Sequence, residues 1–326
     1  MGGFCVGGGE SLNNIVMAQA VQKACKPKFR GRNVLKSKVV PHYPENVERE
    51  YMRVTNAYIA LFNQILRSHL PIIRQAIDTA RREENMRRDA DDFDSVSDVI
   101  SEVFAQIQVE FERRSRAFGL ASRLETVSNQ MRRRNILEWR RVVRQTLGIN
   151  IMQDYYMGEF FRGALTQWTT NNIGLIKSIP ETTLTKMQNI VLEGWQEGIS
   201  NTRIGKKIQE AYGISKRRAH FIARDQVSKL NANLSQAQQQ DAGVQEYIWS
   251  DSNDVRVRKS HAKMQGKRCR WDDPTVYWDP ALKAWVPRTD EMVHKHPGED
   301  YQCRCVALPV FNLPGLNLPW EGGMAA

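Results

Sequence analysis

Apolar residues recur every three or four positions along most of this chain, and the pattern changes at Asp241-Ala242-Gly243; no other feature restricts the fold as much. Before that point the pattern is helical. Val47, Tyr51, Val54, Tyr58, Leu61 and Ile65 fall on one helix seam, and Ile72, Ile73 and Ile77 carry it past Pro71, where an interruption is expected. A second stripe, Val99, Val103, Phe104, Ile107 and Phe111, runs to Gly119. A third, Met131, Ile136, Trp139, Val143 and Leu147, stops at Gly148. Further helices are expected from Pro180 to Gly198, from Asn201 to Gly213 and from Ser215 to Gln240, joined by loops short enough for a compact bundle.

After Gly243 the alternation of Tyr247-Ile248-Trp249 and Val255-Arg256-Val257-Arg258 reads as strand, and residues 275–286 read as a hairpin bearing tryptophans. The expected class is therefore α+β: a predominantly α-helical N-terminal region, then a small α+β module with a short antiparallel sheet. The boundaries follow as 1–44 for a basic, poorly ordered arm, 45–243 for a helical domain, 244–310 for the module and 311–326 for a tail.

Charge separates the arm from the rest. Lys23, Lys26, Lys28, Arg30, Arg32, Lys36 and Lys38 follow one another with no acidic residue among them, a composition that suits a phosphate backbone or an acidic protein surface. A second basic concentration lies between Arg113 and Arg144, where Arg132, Arg133 and Arg134 are consecutive. The net charge of +11 favours an acidic partner, of which nucleic acid is the commonest. No apolar run approaches the ~20 residues that span a bilayer, and the start Met-Gly-Gly-Phe-Cys-Val lacks the features of a secretory signal. A protein made in cytoplasm, with no membrane partner, is expected.

The residues with metal chemistry gather late. Three of the six histidines and three of the five cysteines lie between His261 and Cys305. In an extended Cys-x-Cys segment both sulfurs point to one face, so Cys303 and Cys305 can act together. His261 is the third candidate ligand for zinc, with Cys269 or His296 as the fourth. The spacing is not that of a zinc finger. The same residues also read as small buried thiols and a hydrogen-bonded structural histidine.

Several short motifs fall in a recognisable order: Gly213-Ile214-Ser215, Arg218-Ala219, Ile222-Ala223-Arg224-Asp225, Ala242-Gly243-Val244, Trp249, Asp254-Val255-Arg256-Val257-Arg258, His261, Gly266, and Pro297-Gly298-Glu299-Asp300 leading to Cys303-Arg304-Cys305. Over roughly residues 205–310 this set resembles the phage Mu F-like, or minor head, proteins of tailed bacteriophages. Two departures stand out: Asp225 sits where that family often has Thr, and residues 271–289 look inserted.

The resemblance implies a minor virion component of the head interior or portal vertex, assembled in host cytoplasm. It implies portal protein as partner, with scaffold or major capsid protein and packaged double-stranded DNA as further neighbours. The helical domain would then dock on the portal. An alternative from a different class is a metal-dependent nucleic-acid-processing enzyme using the His/Cys cluster, with Asp254, Glu299 and Asp300 as acid or base. The His-x-Glu and Pro-Cys-x-x-Cys pair of the zinc deaminases is missing.

Overall fold

A computed structural model describes residues 12–86 and 93–323. It is an α+β fold whose helices are α1 (Leu12–Phe29), α2 (Glu45–Met86), α3 (Phe93–Phe118), α4 (Leu120–Leu147), α5 (Gln153–Met157), α6 (Arg162–Gln196), α7 (Asn201–Asp241) and the short α8 (Lys259–Ala262). The strands are β1 (Val34–Lys36), β2 (Glu246–Ser250), β3 (Arg268–Arg270), β4 (Val276–Asp279), β5 (Ala284–Pro287) and β6 (Val306–Asn312). They form one antiparallel sheet in the order β1-β6-β2-β3-β4-β5.

The chain divides into two compact units, and the division does not fall at residue 243. One unit comprises residues 45–129 and 164–226; the other comprises 1–44, 130–163 and 227–326. Both α4 and α7 contribute to each unit, because their apolar stripes continue past any local boundary.

The all-helical unit is built on the seam read from the sequence. Val47, Tyr51, Val54, Tyr58, Phe62 and Ile65 of α2 are buried, and Tyr58 and Phe62 meet Phe111 of α3 edge to face. Leu61 is only half-buried, and Phe62 takes its place in the core. Two expected interruptions do not occur. α2 runs through Pro71, with Ile65, Leu66, Ile73 and Ile77 buried on either side of it; their burial offsets the ~3 kcal/mol of an interior proline. α6 likewise contains Pro180 in its interior rather than at a first turn.

α7 passes through Gly213 without a break. Ile204, Ile208, Ala211, Ala219 and Ala223 form one buried stripe across it, while Ser215 Oγ reaches the Ala211 carbonyl and Thr183 Oγ1. A buried polar chain helps set the register of three helices: Tyr51 donates to Asn172 Oδ1 at 2.6 Å, and the Asn172 amide donates to Gln226 Oε1 and to the Trp168 carbonyl.

The second unit holds the sheet and corrects the expectations for both chain ends. The arm is not poorly ordered over its described residues. Val21, Cys25 and Phe29 recur every four positions on α1 and are all buried, while Lys23, Lys26 and Lys28 stay exposed. Past Arg30 the chain enters the sheet as edge strand β1, pairing Leu35 with Phe311 of β6. Residues 1–11 of the arm lie outside the described residues.

The stretch from 311 is not a tail either. Phe311, Leu316 and Leu318 are buried, Trp320 bridges to Ile151, and Glu321 pairs with Arg140. Gly243, at φ +77°, lets this C-terminal segment approach the end of α7; a β-carbon there would lie 2.0 Å from the Gly315 carbonyl oxygen.

Residues 255–258 form a turn rather than the expected strand. The Asp254 carboxylate accepts the Arg256 N–H and the Asp254 carbonyl accepts the Val257 N–H, so the side chain competes with any sheet partner and Val255 stands fully exposed.

Candidate metal centre

β2 places Trp249 in the core, and the turn after it returns the chain so that α8 sets His261 beside that indole, with ring centroids 5.9 Å apart. Cys303 and Cys305 arrive from the opposite direction, immediately before β6 pairs with β2. His261, Cys303 and Cys305 are each exposed by 6% or less, and their ligand atoms lie within 4.8 Å of one another. His261 Nδ1 is 3.4 Å from the Cys303 sulfur and 3.5 Å from that of Cys305.

The groups around this triad fix its orientation. His261 Nε2 lies 3.1 Å from Asp300 Oδ2; in the neutral tautomer that carries its proton there, the Nδ1 lone pair faces the sulfurs, and in the charged ring both nitrogens donate. Asp300 is itself held by Arg258 and Lys295, each at 2.9 Å. The backbone N–H groups of Gly298 and Cys305 both donate to the Cys303 sulfur at 3.4 Å. The buried Trp249 indole N–H has no hydrogen-bond acceptor among the described residues.

These contacts shift the acidities. The hydrogen bond from Cys305 lowers Cys303 to about 5, and the bonds from His261 and the two backbone N–H groups add to the effect against the opposing burial. The thiol of Cys305 is pushed up by its neighbour Cys303 and by burial. Burial acts to lower His261, but the bonds and charges of Cys303 and Asp300 raise it. Asp300 is carried down to about 2 because the bonds from Lys295, the Tyr301 backbone and His261 outweigh its partial burial.

Neither candidate fourth ligand joins this group. Cys269 turns its thiol toward the carbonyl of Lys267, just before its own strand, and burial raises it. His296 is hydrogen-bonded through Nδ1 to the Tyr247 hydroxyl at 2.9 Å, lies tilted against Trp271 with centroids 5.0 Å apart, and is held toward its neutral form by burial. Of the three acid or base candidates only Asp300 touches the triad. Asp254 pairs with Arg304 and lies near Arg256, and Glu299 accepts the His296 N–H.

The two sulfurs also line a narrow cleft together with Tyr43, Asn135, Ser228 and Trp271. The roles of Gly298 and Trp249 were not evident from residue type; the Pro297-Gly298 pair signalled a turn, and only the fold puts its N–H on a sulfur.

The basic candidates divide into two groups. Lys23, Lys26, Lys28, Arg30 and Arg32 are exposed on α1 and the turn after it. Of the three α4 candidates only Arg133 is exposed: Arg132 donates to the Met157 carbonyl at 2.9 Å, and Arg134 pairs with Glu138 at 3.3 Å.

Residues 185–308 match the family model described as Phage Mu protein F like protein. An uncharacterized protein of Haemophilus influenzae is 40% identical over 144 residues, which cover 44% of this chain and 29% of that protein. The chain thus spans less than a third of the length of that relative. No solved structure matches the chain.

Proposed function

Because residues 185–308 are a phage Mu F-like region, we propose that this protein is a minor head component of a tailed bacteriophage, working in head morphogenesis at the portal vertex. The family match carries the reading, since it covers the ordered motifs from α7 through the His/Cys triad to β6. The two chain segments of the helical unit, residues 45–129 and 164–226, are proposed as the portal-docking part. Scaffold or major capsid protein is a further neighbour in such a head, and the protein's place is the virion.

The exposed lysines and arginines of α1 and its following turn are proposed to face packaged double-stranded DNA. Their support is local: the segment carries no acidic residue, and its apolar face is already buried, which leaves the basic face outward. The described residues contain no helix long and apolar enough to cross a membrane.

A structural rather than enzymatic role suits the buried triad. The metal-dependent hydrolase reading has one observation in its favour, the Asp300 carboxylate on His261. Against it stand the engagement of Asp254 and Glu299 elsewhere and the burial of all three ligand side chains. Labelled DNA incubated with the protein and zinc or magnesium remains intact on the structural reading; cleavage lost in His261→Ala establishes the enzymatic one.

The test of the main reading is association with portal protein, the two being purified together without DNA under reducing, moderate-salt conditions. Co-elution is expected, and separate elution contradicts the docking role.

A further inference from the structure

The geometry points to a zinc ion held by His261 Nδ1, Cys303 Sγ and Cys305 Sγ, with a non-protein ligand in the fourth position. Three observations converge on this site independently of the phage reading. The first is distance. A tetrahedral zinc with bonds of about 2.0–2.1 Å to nitrogen and about 2.3 Å to sulfur holds those atoms roughly 3.5 Å apart, and the two nitrogen–sulfur separations are 3.4 and 3.5 Å.

The second is proton arithmetic. In the neutral tautomer whose Nε2–H donates to Asp300, a single lone pair on Nδ1 faces two sulfurs. One S–H can use that lone pair; a cation in the middle engages all three atoms at once.

The third is the outer shell. The carboxylate on the far nitrogen of a ligating imidazole is the usual means of orienting it. The backbone N–H groups of Gly298 and Cys305 on the Cys303 sulfur stabilise it in the charged form that binds metal. Two thiolates, a neutral imidazole and a divalent cation sum to zero charge, which suits a buried position.

The same atoms could be read as a thiol–imidazole–carboxylate relay for nucleophilic catalysis. Cys303 is exposed by only 4%, and that reading gives the second sulfur on the same nitrogen no task. Zinc accounts for both. Its structural effect is to tie the start of β6 to α8, two segments about forty residues apart in sequence, beside the Arg258–Asp300 and Asp254–Arg304 ion pairs.

The test is metal analysis of the full chain purified without chelator, followed by X-ray absorption at the zinc edge. One equivalent of zinc with two sulfur and two nitrogen or oxygen neighbours is expected. Cys269→Ser and His296→Gln retain the full equivalent, whereas Cys303→Ser and Cys305→Ser lose it. Asp300→Asn keeps the ion but binds it roughly 10- to 100-fold more weakly. Less than about a fifth of an equivalent in wild-type protein, or a shell containing three sulfurs, overturns the assignment. Because the absorption measurement uses unaltered protein, a variant that does not fold leaves the proposal exposed to refutation.

Discussion

Gly298 and Ala232 stand so close that a β-carbon built on Gly298 would lie 2.4 Å from the Ala232 β-carbon. The same glycine adopts φ +86° and directs its N–H onto the Cys303 sulfur, so the loop that orders the site is seated directly on α7. Gly298→Ala therefore meets a clash and a left-handed backbone together, at a cost of about 2–4 kcal/mol. Urea unfolding measures this, and adding Ala232→Gly recovers the clash part only. An unchanged midpoint in the single variant contradicts the close packing.

Glu138 gathers the segment before α2 onto α4. Its carboxylate accepts the His42 N–H at 3.1 Å, bonds the His42 imidazole at 3.2 Å and pairs with Arg141 at 2.8 Å and Arg134 at 3.3 Å. Burial works to raise its pKa, but the bonds from His42 and Arg141 bring it below the usual carboxylate range. The sign follows: the contribution is complete above about pH 4.3, the unfolded value, and is lost as pH falls through the lowered folded value. Glu138→Gln should remove that acid-side loss from the unfolding curve, and Glu138→Ala should cost about 1–3 kcal/mol near neutrality. An acid limb identical to wild type in Glu138→Gln would rule the linkage out.

The buried hydroxyl of Tyr51 is the hydrogen-bond donor to Asn172 Oδ1. Tyr51→Phe strands that acceptor and should destabilise the chain by about 1–3 kcal/mol. Asn172→Ala removes the same bond, so the double variant should fall well short of the sum of the two single effects. Strict additivity would show that the two side chains are not coupled.

The two basic groups should behave differently. Substituting Lys23, Lys26 and Arg30 with Ala should leave the unfolding midpoint unchanged and flatten the dependence of DNA affinity on salt, by up to about 0.9 in slope for each phosphate that is no longer neutralised. Arg132→Ala should do the reverse, since its guanidinium is committed to the Met157 carbonyl. A salt response unaltered by the triple substitution would remove the DNA-facing role from α1.

Much of this architecture was legible from period and punctuation. The stripes of α2 and α3, apart from the exposed Ile72 and Val99, the helix ends at Gly119, Gly148, Gly198 and Gly243, and the change to strand near residue 244 all follow from spacing and from glycines that adopt positive φ. The failures share a cause: local signals were outweighed by burial. Pro71, Pro180 and Gly213 read as breaks, yet apolar stripes continue on both sides of them. The lysines of the arm concealed the four-residue spacing of Val21, Cys25 and Phe29.

At the site, residue type was enough to nominate His261, Cys303 and Cys305, since imidazole and paired cysteine sulfurs are donors that zinc takes, while the reading as buried thiols and a structural histidine stood beside it; the fold then brings their ligand atoms within 4.8 Å. It could not separate Cys269 and His296 from them, since that depends on register. Cys269 lies opposite Tyr247 in the sheet, and His296 is drawn to that tyrosine's hydroxyl.

The most direct measurement is the protein content of phage heads assembled with and without portal protein, read by quantitative mass spectrometry. The account predicts a few copies of this chain per head when portal is present and loss of nearly all of them when it is not. Heads that lack the chain in both cases, or carry it equally in both, would contradict a minor head protein seated at the portal vertex.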